Sequence, residues 1–172
     1  MHRPLLLLLA LGAAGCASTG AVPRPFPTPG GGPPAAAPPS APARPAPPAE
    51  ESTYAITGTA LSLRGTPYRN GGSDPAGFDC SGFVWYVFGQ HGIPMPRTVA
   101  AQYRTGIEVG TDALRAGDLV FFDTNGAGPS HVGIVIGGDE FVHAPSSAGQ
   151  VRVERLGAAY WARRFAGARR VN

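Results

Sequence analysis

The sequence predicts an α+β domain over residues 51–172, helices first and an antiparallel sheet after them. Apolar residues recur at helical spacing in the first half of that region. β-Branched segments separated by Gly, Asp and Ser turns fill the second half. Helices and strands that do not alternate give segregated layers, and a region of this length can bury its own core.

In TYAITGTALSLRG, Ala55, Ile56, Ala60 and Leu63 fall at helical spacing, and the segment stops at Gly65 with Pro67 beyond. YRNGGSDPAG is turn chemistry, paired glycines followed by Asp-Pro. CSGFVWYVFGQHG is apolar on nearly all sides. Phe83, Val84, Val87 and Phe88 are spaced for a buried helix that ends at Gly89 or Gly92. Asp79 is a suitable N-cap, which puts Cys80 at the first helical position. PRTVAAQYRTG reads as a short helix, and DALRAGDLVFFD turns into a strand. HVGIVIGG, EFVHAP and QVRVERL follow as a meander, the first two joined by a hairpin turn at Gly137 and Gly138.

Ahead of this domain stands MHRPLLLLLALGAAGCASTG. A basic start (His2, Arg3), an apolar run from Leu5 to Leu11 and then small residues form the layout of a secretory signal. The run is far shorter than the roughly 20 residues a membrane-spanning helix needs. AAGC, ending at Cys16, resembles the lipobox of bacterial lipoproteins. That resemblance implies removal of residues 1–15, acylation of Cys16 and, with Ala17 next, sorting to the outer membrane facing the periplasm. A plain secreted protein is the alternative. Residues 16–50 hold twelve of the nineteen prolines, and little else but Ala, Gly and Ser. Such a segment buries too little apolar surface to fold and is expected to be an extended tether.

Within the domain, eleven arginines face ten acidic residues, with no basic stripe interleaved with aromatics, so nucleic acid is not an expected partner. Cys16 belongs to the processing site, leaving Cys80 without a disulfide partner in the chain. At a helix N-terminus, free N–H groups and the dipole favour a thiolate and can hold an oxyanion. His131 and His143, on two strands able to pair, are candidate base and orienting group. Zinc ligation would use the same residue types, but no close ligand pair such as H-E-x-x-H is present. His91, at the helix C-terminus, reads as structural. On the residues alone, core filler and nucleophile both stand for Cys80.

ALSLRGTPYRNGGSDPAGFDCSGFVWYVF, MPRTVAAQY, AGDLVFF, SHVGIVIGGDEFVHAPSSAGQVRVERL and YWARRFAGARRV resemble, in order and spacing, the NlpC-type papain-like cell-wall peptidases. The resemblance runs from about Ala60 to Val171. It implies a papain-like domain with N-terminal helices packed on an antiparallel sheet or half-barrel. It further implies a Cys80–His131–His143 triad that hydrolyses peptidoglycan stem peptides at the D-γ-glutamyl–diamino acid bond. Tyr68 matches the tyrosine that faces the cysteine and helps hold the oxyanion. Asp79 and Ser81 match groove positions that recognise the free amino end of the stem peptide, and Arg97 resembles a further groove residue. Asn70 and Val99 depart from the family pattern, at positions that bear on substrate preference. A monomer without cofactor or metal is expected. The competing readings are a non-catalytic envelope lipoprotein that binds wall peptides, and an amidase or acyltransferase acting on another acyl substrate.

Overall fold

The computed structural model describes residues 49–171. The signal, Cys16 and nearly all of the tether lie outside the described residues. Helix α1 (Ala49–Ser62) leads into a short hairpin, β1 (Ser73–Asp74) and β2 (Gly77–Phe78). Helix α2 (Cys80–Gln90) and one-turn helix α3 (Val99–Gln102) follow. Strands β3 (Ile107–Val109), β4 (Leu119–Phe122), β5 (His131–Gly137), β6 (Glu140–His143) and β7 (Arg152–Arg155) come next, then α4 (Ala159–Ala162) and β8 (Phe165–Arg170). Among the described residues, six strands form one antiparallel sheet in the order β3-β8-β4-β5-β6-β7, an open sheet with β3 and β7 at its edges. The α+β class and the β4–β7 meander match expectation.

Helix α1 buries Ile56 and Ala60 but leaves Ala55 exposed, so its inner stripe is narrower than the apolar spacing suggested. Helix α2 is capped at both ends. The Asp79 carboxylate accepts the Gly82 N–H at 2.7 Å. At the other end Ile93 N–H reaches Phe88 O and Gly92 N–H reaches Gly89 O, both at 3.1 Å. Gly92 sits at φ 72°, the left-handed position that closes such a Schellman motif. His91 accepts or donates a 2.9 Å bond with the Thr59 hydroxyl, tying α2 to α1 in the structural role its position suggested.

β4 is buried on both faces, because successive side chains point to opposite sides. Leu119 and Phe121 join Phe83, Val84, Val87, Phe88, Val132, Ile134 and Val142 in the core beneath the helices. Val120 and Phe122 join Val135, Phe141, Ala168 and Trp161 of α4 on the other face. The second core has no local sequence signature, since Trp161 and Ala168 reach it from the chain end.

β8 is the main departure from the expected order. FAGARR lies between β3 and β4, well inside the sheet, although its Ala, Gly and Arg residues have little strand preference. Tertiary partners hold it there. Tyr103 Oη donates to Ala166 O at 3.0 Å, and Arg170 makes a double contact to buried Asp118, Nε and Nη2 each at 2.8 Å from a carboxylate oxygen.

Candidate active site

The turn before α2 is built from close backbone approaches. A Cβ on Gly72 would lie 2.3 Å from Gly77 O, so only glycine allows that fold-back. The freed Gly72 carbonyl accepts the Asp79 N–H at 3.0 Å and Arg97 Nη2 at 3.1 Å. It also occupies the space where a Gly82 side chain would project, 2.0 Å from the would-be Cβ. These contacts fix the first turn of α2, and with it Cys80.

Cys80 is a free, half-buried thiol at the first position of α2. Backbone N–H groups of Ser81, Val132 and Cys80 itself favour its thiolate form. Val132 follows His131 at the start of β5, the strand that carries the histidine. Burial nevertheless pushes the thiol up to about 11, and the Asp79 carboxylate adds to the rise. The thiolate that the helix dipole alone would favour is therefore not the resting form, because desolvation and Asp79 outweigh the dipole.

His131 Nε2 and His143 Nδ1 share a 2.7 Å hydrogen bond. Both rings are buried. Desolvation pushes His131 down to about 4, and His143 down to about 2 with further repulsion from His131 and Arg152. Both are neutral at neutral pH. Gly133, two residues along β5 from His131, leaves room for the β6 side chains: a Cβ there would stand 2.6 Å from the Phe141 ring and 3.2 Å from His143 Cβ. With His131 Nε2 committed to His143, only Nδ1 is left to meet a thiol.

Tyr68 stands beside these groups. Burial raises its phenol above the ordinary value, and negative charge on Cys80 or Asp79 raises it further, so it remains a hydrogen-bond donor. Arg97 closes the cluster. Its Nη2 and Nη1 bond the two Asp79 oxygens at 2.6 and 2.9 Å, and Nη1 also reaches Ser81 Oγ at 2.9 Å. The Asp79 carboxyl is held below its ordinary range by Arg97 and the Gly82 N–H, against the opposing effect of burial. Asp79, Ser81 and Arg97 thus come together as one network, in which Ser81 is itself buried.

Three neighbours carried no role in the sequence reading. Gln102, fully buried, donates through Nε2 to Ser81 O at 2.9 Å and Pro96 O at 2.7 Å, fastening α3 to the start of α2. Trp161 stacks on His131 with centroids 5.4 Å apart and planes 23° apart, and Glu154 accepts its indole N–H. Gln102 and Trp161 lie within MPRTVAAQY and YWARRFAGARRV, but nothing local marked which residue of either segment would turn inward.

A thiol at the N-terminus of a helix, packed with an antiparallel sheet that carries a bonded histidine pair, fits a papain-like α+β domain. The NlpC/P60 family profile matches residues 65–170, and the chain belongs to that family. It is 42% identical over 115 residues to the probable peptidoglycan endopeptidase LytE of Bacillus subtilis, covering 67% of this chain and 33% of that protein. It is 44% identical over 109 residues to the murein DD-endopeptidase MepS/murein LD-carboxypeptidase of Escherichia coli K12, covering 63% of this chain and 57% of that one. The crystal structure of an NlpC/P60 family protein from Bacillus cereus superposes with a TM-score of 0.65 at 35% identity, over 69% of this chain and 39% of that one. The chain therefore spans between a third and about three-fifths of these two relatives' length.

Proposed function

We propose that this domain is a cysteine peptidase of the cell envelope that hydrolyses peptidoglycan stem peptides. The observation that carries this reading is Cys80 at the first position of α2, with the 2.7 Å His131–His143 pair on the strands of the adjoining sheet. In the reaction His131 Nδ1 takes the thiol proton as sulfur attacks the scissile carbonyl. The Cys80 N–H and the Tyr68 hydroxyl hold the resulting oxyanion. His131 returns the proton to the leaving amine, and water then hydrolyses the acyl-enzyme. His143 orients the His131 ring.

The cleaved bond we favour is D-γ-glutamyl–diamino acid. Asp79, assisted by Ser81 and Arg97, receives the free amino end of the trimmed stem. The name of the Escherichia coli relative supports a second bond, the DD cross-link. Acylated Cys16 and the tether ahead of α1 would hold the domain at the outer membrane, within reach of the wall.

Mass spectrometry of purified muropeptides after incubation with the protein tests both halves. Release of dipeptide from trimmed stems supports the first bond, and resolution of cross-linked dimers the second. Cys80→Ala is expected to abolish release while retaining the wild-type unfolding midpoint. Cleavage by that variant would show the mechanism to be wrong. A wild-type protein that binds stems without cutting them would point instead to a non-catalytic lipoprotein. Turnover of other acyl donors alone would point to an amidase or acyltransferase.

A further inference from the structure

His143 has two ring nitrogens and only one is accounted for. Nδ1 bonds His131, whereas Nε2 is buried with no hydrogen-bond partner. An orphaned polar atom in a fully buried ring needs a reason. The charged group it faces is Glu154 on β7, whose Oε1 lies 3.9 Å from it.

Glu154 is held in place on both sides. Oε2 accepts the indole N–H of Trp161, and Oε1 takes Arg152 Nε at 3.1 Å. Trp161 is 5% exposed; its face lies along His131, and it meets His143 edge to face with centroids 4.9 Å apart. One tryptophan thus braces the carboxylate while packing against both histidines.

We propose that Glu154 is a positioning residue that sets the tautomer of His143 and, through it, that of His131. The proposal rests on the Cys80–His131–His143 reading above. Each neutral imidazole carries one N–H, so the pair has two arrangements with the 2.7 Å bond intact. In the first, His131 donates from Nε2 to His143 Nδ1, and His143 carries its proton on Nε2, aimed at Glu154. His131 Nδ1 then presents a lone pair to Cys80. In the second, His143 donates from Nδ1, and its Nε2 lone pair confronts the carboxylate. His131 would then hold a proton on Nδ1 and could accept none from the thiol. The negative charge of Glu154 favours the first arrangement, the only one competent for a base.

The proton balance involves no transfer to Glu154. The S–H bond of Cys80 breaks, an Nδ1–H bond forms on His131, and the sulfur electron pair goes into the new S–C bond. The groups facing His143 are His131 from β5, with Arg152 and Glu154 from β7. Burial, with repulsion from His131 and Arg152, keeps His143 neutral. The carboxylate orients an uncharged ring and does not charge it.

The test is long-range 15N–1H correlation NMR of the histidine rings in the full chain, with and without Glu154→Gln. That variant keeps an oxygen to accept from Trp161. In the wild type His143 is expected as the Nε2–H tautomer. In Glu154→Gln the His143 signals are expected to move toward the Nδ1–H form, with kcat for muropeptide cleavage falling about tenfold at unchanged KM, in the range typical of residues that orient a reactive group. An Nδ1–H wild-type ring, or a variant ring with the wild-type tautomer, overturns the proposal. The NMR readout needs no substrate, so it decides this point even if the protein cleaves no muropeptide and the peptidase reading falls.

Discussion

Gly82, two residues after the thiol, offers the sharpest test of how the site is held. In most helix positions Gly→Ala stabilises by about 0.5–1 kcal/mol, because alanine loses less backbone entropy on folding. Here the new Cβ would stand 2.0 Å from Gly72 O, and 3.0 Å from both Arg97 Nη2 and Asp79 Oδ1. The separation from Gly72 O must grow by more than an ångström to reach ordinary contact. The carbonyl cannot yield easily, since Asp79 N–H and Arg97 bind it and Gly72 is wedged against Gly77. The first turn of α2 has to move instead. Overpacking of this kind costs about 1–3 kcal/mol, and strain on the Asp79 cap about 1 more. The clash therefore outweighs the propensity gain, for a net loss of about 1–3.5 kcal/mol. In a domain of this size that lowers Tm by roughly 5–15 °C. A displacement of that length at Cys80 is expected to reduce muropeptide cleavage about 100-fold. Gly89, in the same helix, has nothing within 4 Å of its would-be Cβ, so Gly89→Ala should raise stability by about 0.5–1 kcal/mol. Thermal unfolding of both variants and a cleavage assay settle the matter. A Gly82→Ala protein with wild-type midpoint and rate would refute the reasoning.

The buried histidines make stability depend on pH. Their folded-state values, about 4 and about 2, lie below the unfolded 6.5, so the unfolded chain binds more protons as pH falls. The stabilisation is complete above 6.5 and is lost as pH drops toward the folded values. Each histidine accounts for roughly 2 kcal/mol between pH 7 and pH 5. Urea midpoints that match at those two pH values would show that the rings are not held neutral. Asp118→Asn removes a buried carboxylate that takes two bonds from Arg170 and one from Arg115 N–H at 2.7 Å. Breaking such a pair costs about 3–5 kcal/mol when both groups are buried. The Arg170 side chain is 24% exposed, so about 2–3 kcal/mol is expected by urea titration, and a change below about 0.5 kcal/mol would sink this account of β8.

Local chemistry explains what could be read from the chain. Asp79 before an apolar helical run, Gly92 after it, and β-branched stretches divided by Gly137–Gly138 each carry their own conformational preference, and the structure keeps all of them. His131 and His143 fall on paired strands, so a short hairpin was enough to bring them together. What stayed hidden depends on distant partners. FAGARR becomes a strand because β3 and β4 flank it. Asp79 meets Arg97 across 18 residues, and His131 meets Trp161, which follows it by 30 residues. Ser81 shows the same limit from the other side. Its place beside Asp79 could be read from the sequence, but its burial beneath Arg97 could not.

The resting state of Cys80 shows which force governs the site. A charge at a helix end gains about 0.3–1 kcal/mol from the dipole, less than the 1.36 kcal/mol that one pKa unit represents. Burial and Asp79 together move the thiol the other way, from 9.0 to about 11. At neutral pH the sulfur therefore keeps its proton, and so the reactive anion exists only as attack begins. Oxidants act on thiolates, so a half-buried neutral thiol is also a slow target for them. The cost falls on the base. A stored thiolate would need no proton acceptor, whereas a neutral thiol needs a lone pair aimed at it when the substrate arrives. On the proposed mechanism that requirement would make the His131 tautomer decisive, and it would give the brace formed by His143, Glu154 and Trp161 a chemical reason to exist.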